Sequence, residues 1–148
     1  MPEEELKFAS AEINLLLHAT EDETKVLQSI QNIFAIPSKR FSISTLEGHH
    51  KNKILIFKAF LTSQEAGDLA FRIMSLLNSS DREHLSSSIN EYSDEKGNLY
   101  LRLDKQKICH GKVSLSAIDA IRVRFKPVKR YRPSGNLESY RGFLSPAE

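Results

Sequence analysis

Leu99-Tyr100-Leu101-Arg102-Leu103-Asp104 and Ile121-Arg122-Val123-Arg124-Phe125-Lys126 are two stretches that alternate apolar and polar residues without a break. A period of two marks strands buried on one face only. If the leucines, Ile121, Val123 and Phe125 point into a core, then Tyr100, Arg102, Arg122, Arg124 and Lys126 share the opposite face. The turn-forming run Asp94-Glu95-Lys96-Gly97-Asn98 leads into the first of these strands, because Gly and Asn tolerate the left-handed backbone of a tight reversal.

Upstream, residues 9–18 also alternate, with Ala9, Ala11, Ile13, Leu15 and Leu17 on one side and Glu12, Asn14 and His18 on the other. Thr20 and Glu23 have the spacing of a capping box ahead of Val26, Leu27, Ile30, Ile33 and Phe34, which recur at helical intervals. Phe41, Ile43 and Thr45 form a second strand ending near Gly48, and Ile54–Leu61 is a denser apolar run expected to be a strand covered on both faces. Thr62 and Glu65 open a second helix with a buried stripe through Ala66, Leu69, Ala70, Ile73, Leu76 and Leu77. Ser80–Glu83 opens a short third helix ending near Ser87, and Ile89–Tyr92 reads as a short strand. Lys105–Lys112 fits either a loop or one helical turn. The order β-α-β-β-α-α-β-β predicts an α+β fold, a mostly antiparallel sheet with its helices on one face and the other face open.

The chain has 148 residues, 40% hydrophobic and 27% charged, enough for one packed domain and too apolar for whole-chain disorder. Residues 1–8 read as an acidic lead, 9–126 as the domain and 127–148 as a flexible basic arm. Cys109 is the only cysteine, which excludes an internal disulfide and a Cys-rich metal site. No apolar run approaches the ~20 residues of a membrane span, and Met1–Leu6 lacks the build of a signal peptide. The expectation is a soluble cytoplasmic protein with no membrane partner.

The net charge of +2 conceals an asymmetry. Residues 1–100 carry ten basic and fifteen acidic side chains, a balance of −5; residues 101–148 carry eleven and four, a balance of +7. A basic third attracts polyanions within about a Debye length, ~8 Å, even on a nearly neutral chain. On an open sheet face, cations neutralise phosphates while Tyr and Arg planes stack on unpaired bases. The predicted RNA-binding residues are therefore Tyr100, Arg102, Arg122, Arg124 and Lys126, extended by Lys105 and Lys107. His49, Lys51 and Lys53 flank them from the Glu47–Lys53 loop, which reads either as a phosphate contact or as a plain polar loop. Metal is disfavoured there, since His49 and His50 are adjacent on an extended chain and no carboxylate or Cys stands at ligand spacing. Phosphate-loop, dinucleotide-binding, nucleophile-elbow and zinc-protease motifs are all missing, so neither catalysis nor a cofactor is expected. A competing expectation is a protein-interaction or homodimerisation module that uses the open face or an edge strand.

His18-Ala19-Thr20-Glu21-Asp22, Glu47-Gly48-His49 with Asn52, Asp81-Arg82, Gly97–Gln106 and Ile121-Arg122-Val123-Arg124, in that order and spacing, resemble an archaeal protein family described as RNA-binding and as a predicted exosome subunit. The resemblance spans roughly residues 10–126, and Leu99–Gln106 is its most specific part. It implies a fold like that of ribosomal protein L5, RNA as a partner and an accessory role in RNA processing beside exosome proteins. The loop departs from the family pattern, usually Glu-Gly-His-Tyr-Gly-Asn-Pro, with His50 for the Tyr, Lys51 for the Gly and Lys53 for the Pro. That exchange removes a stacking ring and adds charge.

Overall fold

A computed structural model describes residues 8–47 and 52–128. The elements are β1 (Phe8–His18), α1 (Glu23–Phe34), β2 (Ser42–Glu47), β3 (Lys53–Leu61), α2 (Ser63–Leu76), α3 (Ser79–Ser87), β4 (Leu99–Asp104), α4 (Lys105–Ile108) and β5 (Ala120–Pro127). All strand pairs are antiparallel, in the order β2-β3-β1-β5-β4. The two late strands thus form one wing, the β2–β3 pair the other, and β1 joins them at the centre. This is the α+β architecture expected from the alternation.

Both late strands carry their apolar sets inward: Leu99, Leu101, Leu103, Ile121, Val123 and Phe125 are buried. Ile13, Leu15 and Leu17 of β1 and Phe57, Ala59 and Leu61 of β3 join them. They meet Val26, Leu27, Ile30 and Phe34 of α1 and Ala66, Leu69, Ala70 and Ile73 of α2 in one cluster. Each fully buried aliphatic or Phe side chain contributes about 1.5–3 kcal/mol over its exposed state.

Helix starts differ in detail from the sequence reading. The Thr62–Glu65 capping box is present in full, but α1 is capped by Asp22, whose carboxylate accepts from the Lys25 N–H at 3.1 Å. Thr20 lies in the preceding turn, because Glu21 receives the His18 N–H and the helix begins later. Asn78, not Ser80, caps α3 by accepting from the Asp81 N–H at 2.8 Å. Ile89–Glu91 is a 3₁₀ turn instead of a strand, with Ile89 buried as its anchor. Lys105–Ile108 resolves as one helical turn.

The largest correction concerns β3. It is paired on both edges but not covered on both faces. Ile54 and Ile56 are half-buried and Phe60 is 64% exposed, because they face the open side of the sheet with no layer above them. Residues 1–7 and most of the expected basic arm, 129–148, lie outside the described residues. None of the described helices is long and apolar enough to cross a membrane.

Candidate nucleic-acid interface

Strand register arranges the open face in rows that cross the sheet. One row runs Arg102, Arg122, Asn14, Lys58, Ser42 through all five strands. Next to it lies Tyr100, Arg124, Glu12, Phe60. On the other flank come Leu16, Ile56, Ser44 and then His18, Ile54, Leu46. Lys126 stands beyond the Tyr100 row, opposite Ser10.

Cations on the face fall into two groups. Glu12 is central and compensates its neighbours, accepting from Arg124 at 3.1 Å and standing 3.7 Å from the Lys58 ammonium. Arg102 and Arg122 sit directly opposite each other, both exposed, with no ion-pair partner among the described residues. Like charges at facing positions are unfavourable in a bare sheet. A bound anion would relieve that repulsion.

Tyr100 borders the pair and is 41% exposed. Its hydroxyl donates to Asp94 at 2.8 Å, which fixes the ring, and burial together with that carboxylate raises the phenol above its ordinary pKa. Burial pushes the Asp94 carboxyl up, but hydrogen bonds from Tyr100, Asn98 and the Lys96 N–H outweigh it and hold the group below the usual carboxylate range. Glu12, Asn14, Tyr92, Tyr100, Arg102 and Arg122 line a shallow groove of about 680 Å³ on this side. Tyr92 reaches it from the 3₁₀ turn, held by a 3.0 Å hydrogen bond to His84.

Five of the ten residues expected from the sequence therefore share one surface: Tyr100, Arg102, Arg122, Arg124 and Lys126. Lys107 is exposed on α4, which packs against α1 on the helix side, so the structure does not bring it to this surface. Lys105 does not extend the face. It is fully buried and its ammonium is taken up by Glu21, Asp119 and the Leu16 carbonyl. Lys53 falls on the helix side of β3 by alternation with buried Phe57, opposite Glu47. His49 and Lys51 lie outside the described residues.

Sequence reading missed Lys58 and Phe60, which the apolar density of β3 hid. The signal that finds them is the strand's own alternation, since Lys58 lies two residues before Phe60 and four after Ile54. Among the described residues no cluster of three or more His, Cys, Asp or Glu side chains is placed to hold a metal.

A family model described as RNA binding matches residues 10–127, the described domain almost end to end. The chain belongs to this RNA-binding family. An RNA-binding protein of Pyrococcus abyssi is 35% identical over 127 residues, covering 82% of each chain. An uncharacterised protein of Methanocaldococcus jannaschii is 29% identical over 149 residues, covering 92% of this chain and 95% of its own. Among solved structures, a DUF54 protein of Methanothermobacter thermautotrophicus superposes with a TM-score of 0.76 at 26% identity, covering 94% of this chain and 99% of that one.

Proposed function

We propose that this member of the family is a non-catalytic RNA-binding protein whose open sheet face is the RNA site. The carrying observation is the unneutralised Arg102–Arg122 pair set beside the fixed Tyr100 ring. In this reading the guanidinium pair grips a phosphate, Lys58 and Lys126 continue the electrostatic track, and Tyr100 stacks on a base. The family match and the name of the Pyrococcus relative support RNA as the partner. An accessory role in RNA processing or degradation, beside exosome proteins, rests on the sequence resemblance alone, and a cytoplasmic location on the sequence composition.

Reversing both arginines (Arg102→Glu with Arg122→Glu) should weaken binding of a labelled mixed-sequence RNA at least a hundredfold. Two charge-assisted phosphate contacts at roughly 1.5–3 kcal/mol each account for that loss. Circular dichroism should be unchanged, since both side chains are exposed. Undiminished affinity in a folded double variant would remove the sheet face as the site.

A second reading is favoured by β2, every residue of which is exposed, with Ile43 at 55% and Leu46 at 52%. An exposed apolar edge strand is a template for pairing with another chain. A homodimer through β2 leaves the arginine pair free, so the two readings are compatible, and light scattering tests for the dimer.

A further inference from the structure

The exposed Phe60 ring indicates which class of RNA this face accepts. We infer that the sheet binds single-stranded RNA, with phosphates along the Arg102–Arg122–Lys58 row and unpaired bases on Tyr100 and Phe60. The inference rests on the sheet-face reading and adds the strandedness of the ligand and a second stacking residue.

Phe60 is the largest exposed apolar side chain on the sheet's open side, at 64%. The ring so exposed offers an apolar face on which a flat partner can stack. Its carbonyl is held by the Arg40 guanidinium at 2.9 Å, so the backbone beneath the ring is anchored. Tyr100 and Phe60 terminate the same cross-strand row, with Arg124 and Glu12 between them. Three strand spacings separate them by about 14 Å.

Charge within the two rows divides the labour. Glu12 sits between the rings and repels phosphate, and its ion pair with Arg124 leaves the row of rings near neutrality. The adjacent row holds three cations and no carboxylate, so it takes the backbone. A ribose-phosphate chain laid along it turns bases toward the rings on one flank and toward Leu16 and Ile56 on the other. Duplex RNA can use only the cation row and not the rings, because its bases are stacked and paired inside the helix and it offers only phosphates, 2′-hydroxyls and groove edges. Aromatic stacking on unpaired bases contributes about 1–3 kcal/mol per base and tolerates any sequence.

The test compares a labelled unstructured RNA with the same strand annealed to its complement, using full-length chain. Wild type should prefer the single strand. Phe60→Ala should cut single-strand affinity about tenfold or more and leave duplex affinity unchanged. Phe60→Tyr, which keeps a ring, should retain binding, whereas Phe60→Leu should not. Equal affinity for the two RNAs, or full single-strand binding by Phe60→Ala, overturns the inference. So does a wild-type dimer that Phe60→Ala dissociates with no change in RNA binding, which assigns the ring to a chain–chain contact. If the Arg102/Arg122 double variant still loses binding in those cases, the sheet-face reading stands and only the strandedness fails. If the double variant binds normally, both fall.

Discussion

The Lys105 ammonium donates to the Leu16 carbonyl at 2.8 Å and to Glu21 at 2.9 Å, and it forms an ion pair with Asp119 at 2.8 Å. The arrangement ties the end of β1, the entrance to α1 and the turn before β5 to the first residue of α4. A buried charge is tolerable only when it is fully paired, and removing one partner commonly costs about 3–5 kcal/mol. Glu21 and Asp119 are 18% and 44% exposed and can recover part of their hydration, which places Lys105→Met near the lower end, about 3 kcal/mol. Urea unfolding should show that loss, while RNA affinity measured below the lowered melting temperature stays at the wild-type level. A variant that keeps its stability but loses RNA would return Lys105 to the binding face. Nothing local in the sequence distinguishes this lysine from Lys107, which is exposed two residues on. Its role depends on Glu21, 84 positions away, and that separation is invisible to a pattern of period two or 3.6.

At the level of elements, Arg40 joins three of them. Its guanidinium pairs with both carboxylate oxygens of Glu65 at the start of α2 and donates to the Phe60 carbonyl in β3, from a 3₁₀ turn that follows α1. The hydrogen bond from Arg40, aided by the Thr62 N–H, lowers the Glu65 carboxyl to about 2. A depressed carboxylate stabilises the fold above its unfolded pKa of about 4.3 and loses that contribution as pH falls toward the folded value. Stability should therefore decline between roughly pH 5 and pH 2. The Glu65→Gln variant should show a shallower decline, because glutamine preserves the capping box while removing the charge. Both side chains are about one-third exposed, so solvent screening holds the difference to about 1 kcal/mol. Melting curves across that range decide the point, and parallel declines would deny the pair any share. The box itself was legible in Thr62 and Glu65, since capping chemistry is local. The Arg40 partnership was not, and neither was the true exposure of β3. A dense apolar run fits a doubly covered strand as well as a strand that offers Phe60 and Ile56 to a ligand. By contrast β1, β4 and β5 were legible because one face of each packs against helices and the other does not.

For the whole molecule, charge segregation becomes a prediction about salt. Three carboxylates of residues 1–100 are taken up in ion pairs, Glu21 with Lys105, Glu65 with Arg40 and Glu12 with Arg124. Arg102, Arg122 and Lys126 are then the cations on the open face without a pairing carboxylate among the described residues. Counterion release from single-stranded RNA gives a log–log salt slope of about 0.7 per phosphate neutralised. Lys58 is already partly neutralised by Glu12 at 3.7 Å and adds little, so the three unpaired cations predict a slope of about −2 for the folded domain. Lys129, Arg130, Arg132 and Arg141 follow in the sequence, so the 148-residue chain has up to four further cations to contribute. A chain ending at Val128 should keep the slope of about −2, with the difference from full length reporting the tail. A slope near zero in the shortened chain, with strong salt dependence in the full one, would make the folded sheet a scaffold for a basic tail. The same titration repeated with Arg102→Glu and Arg122→Glu should remove most of the remaining slope. Stacking on Phe60 does not depend on salt, so Phe60→Ala should lower affinity at every salt concentration and leave the slope unchanged.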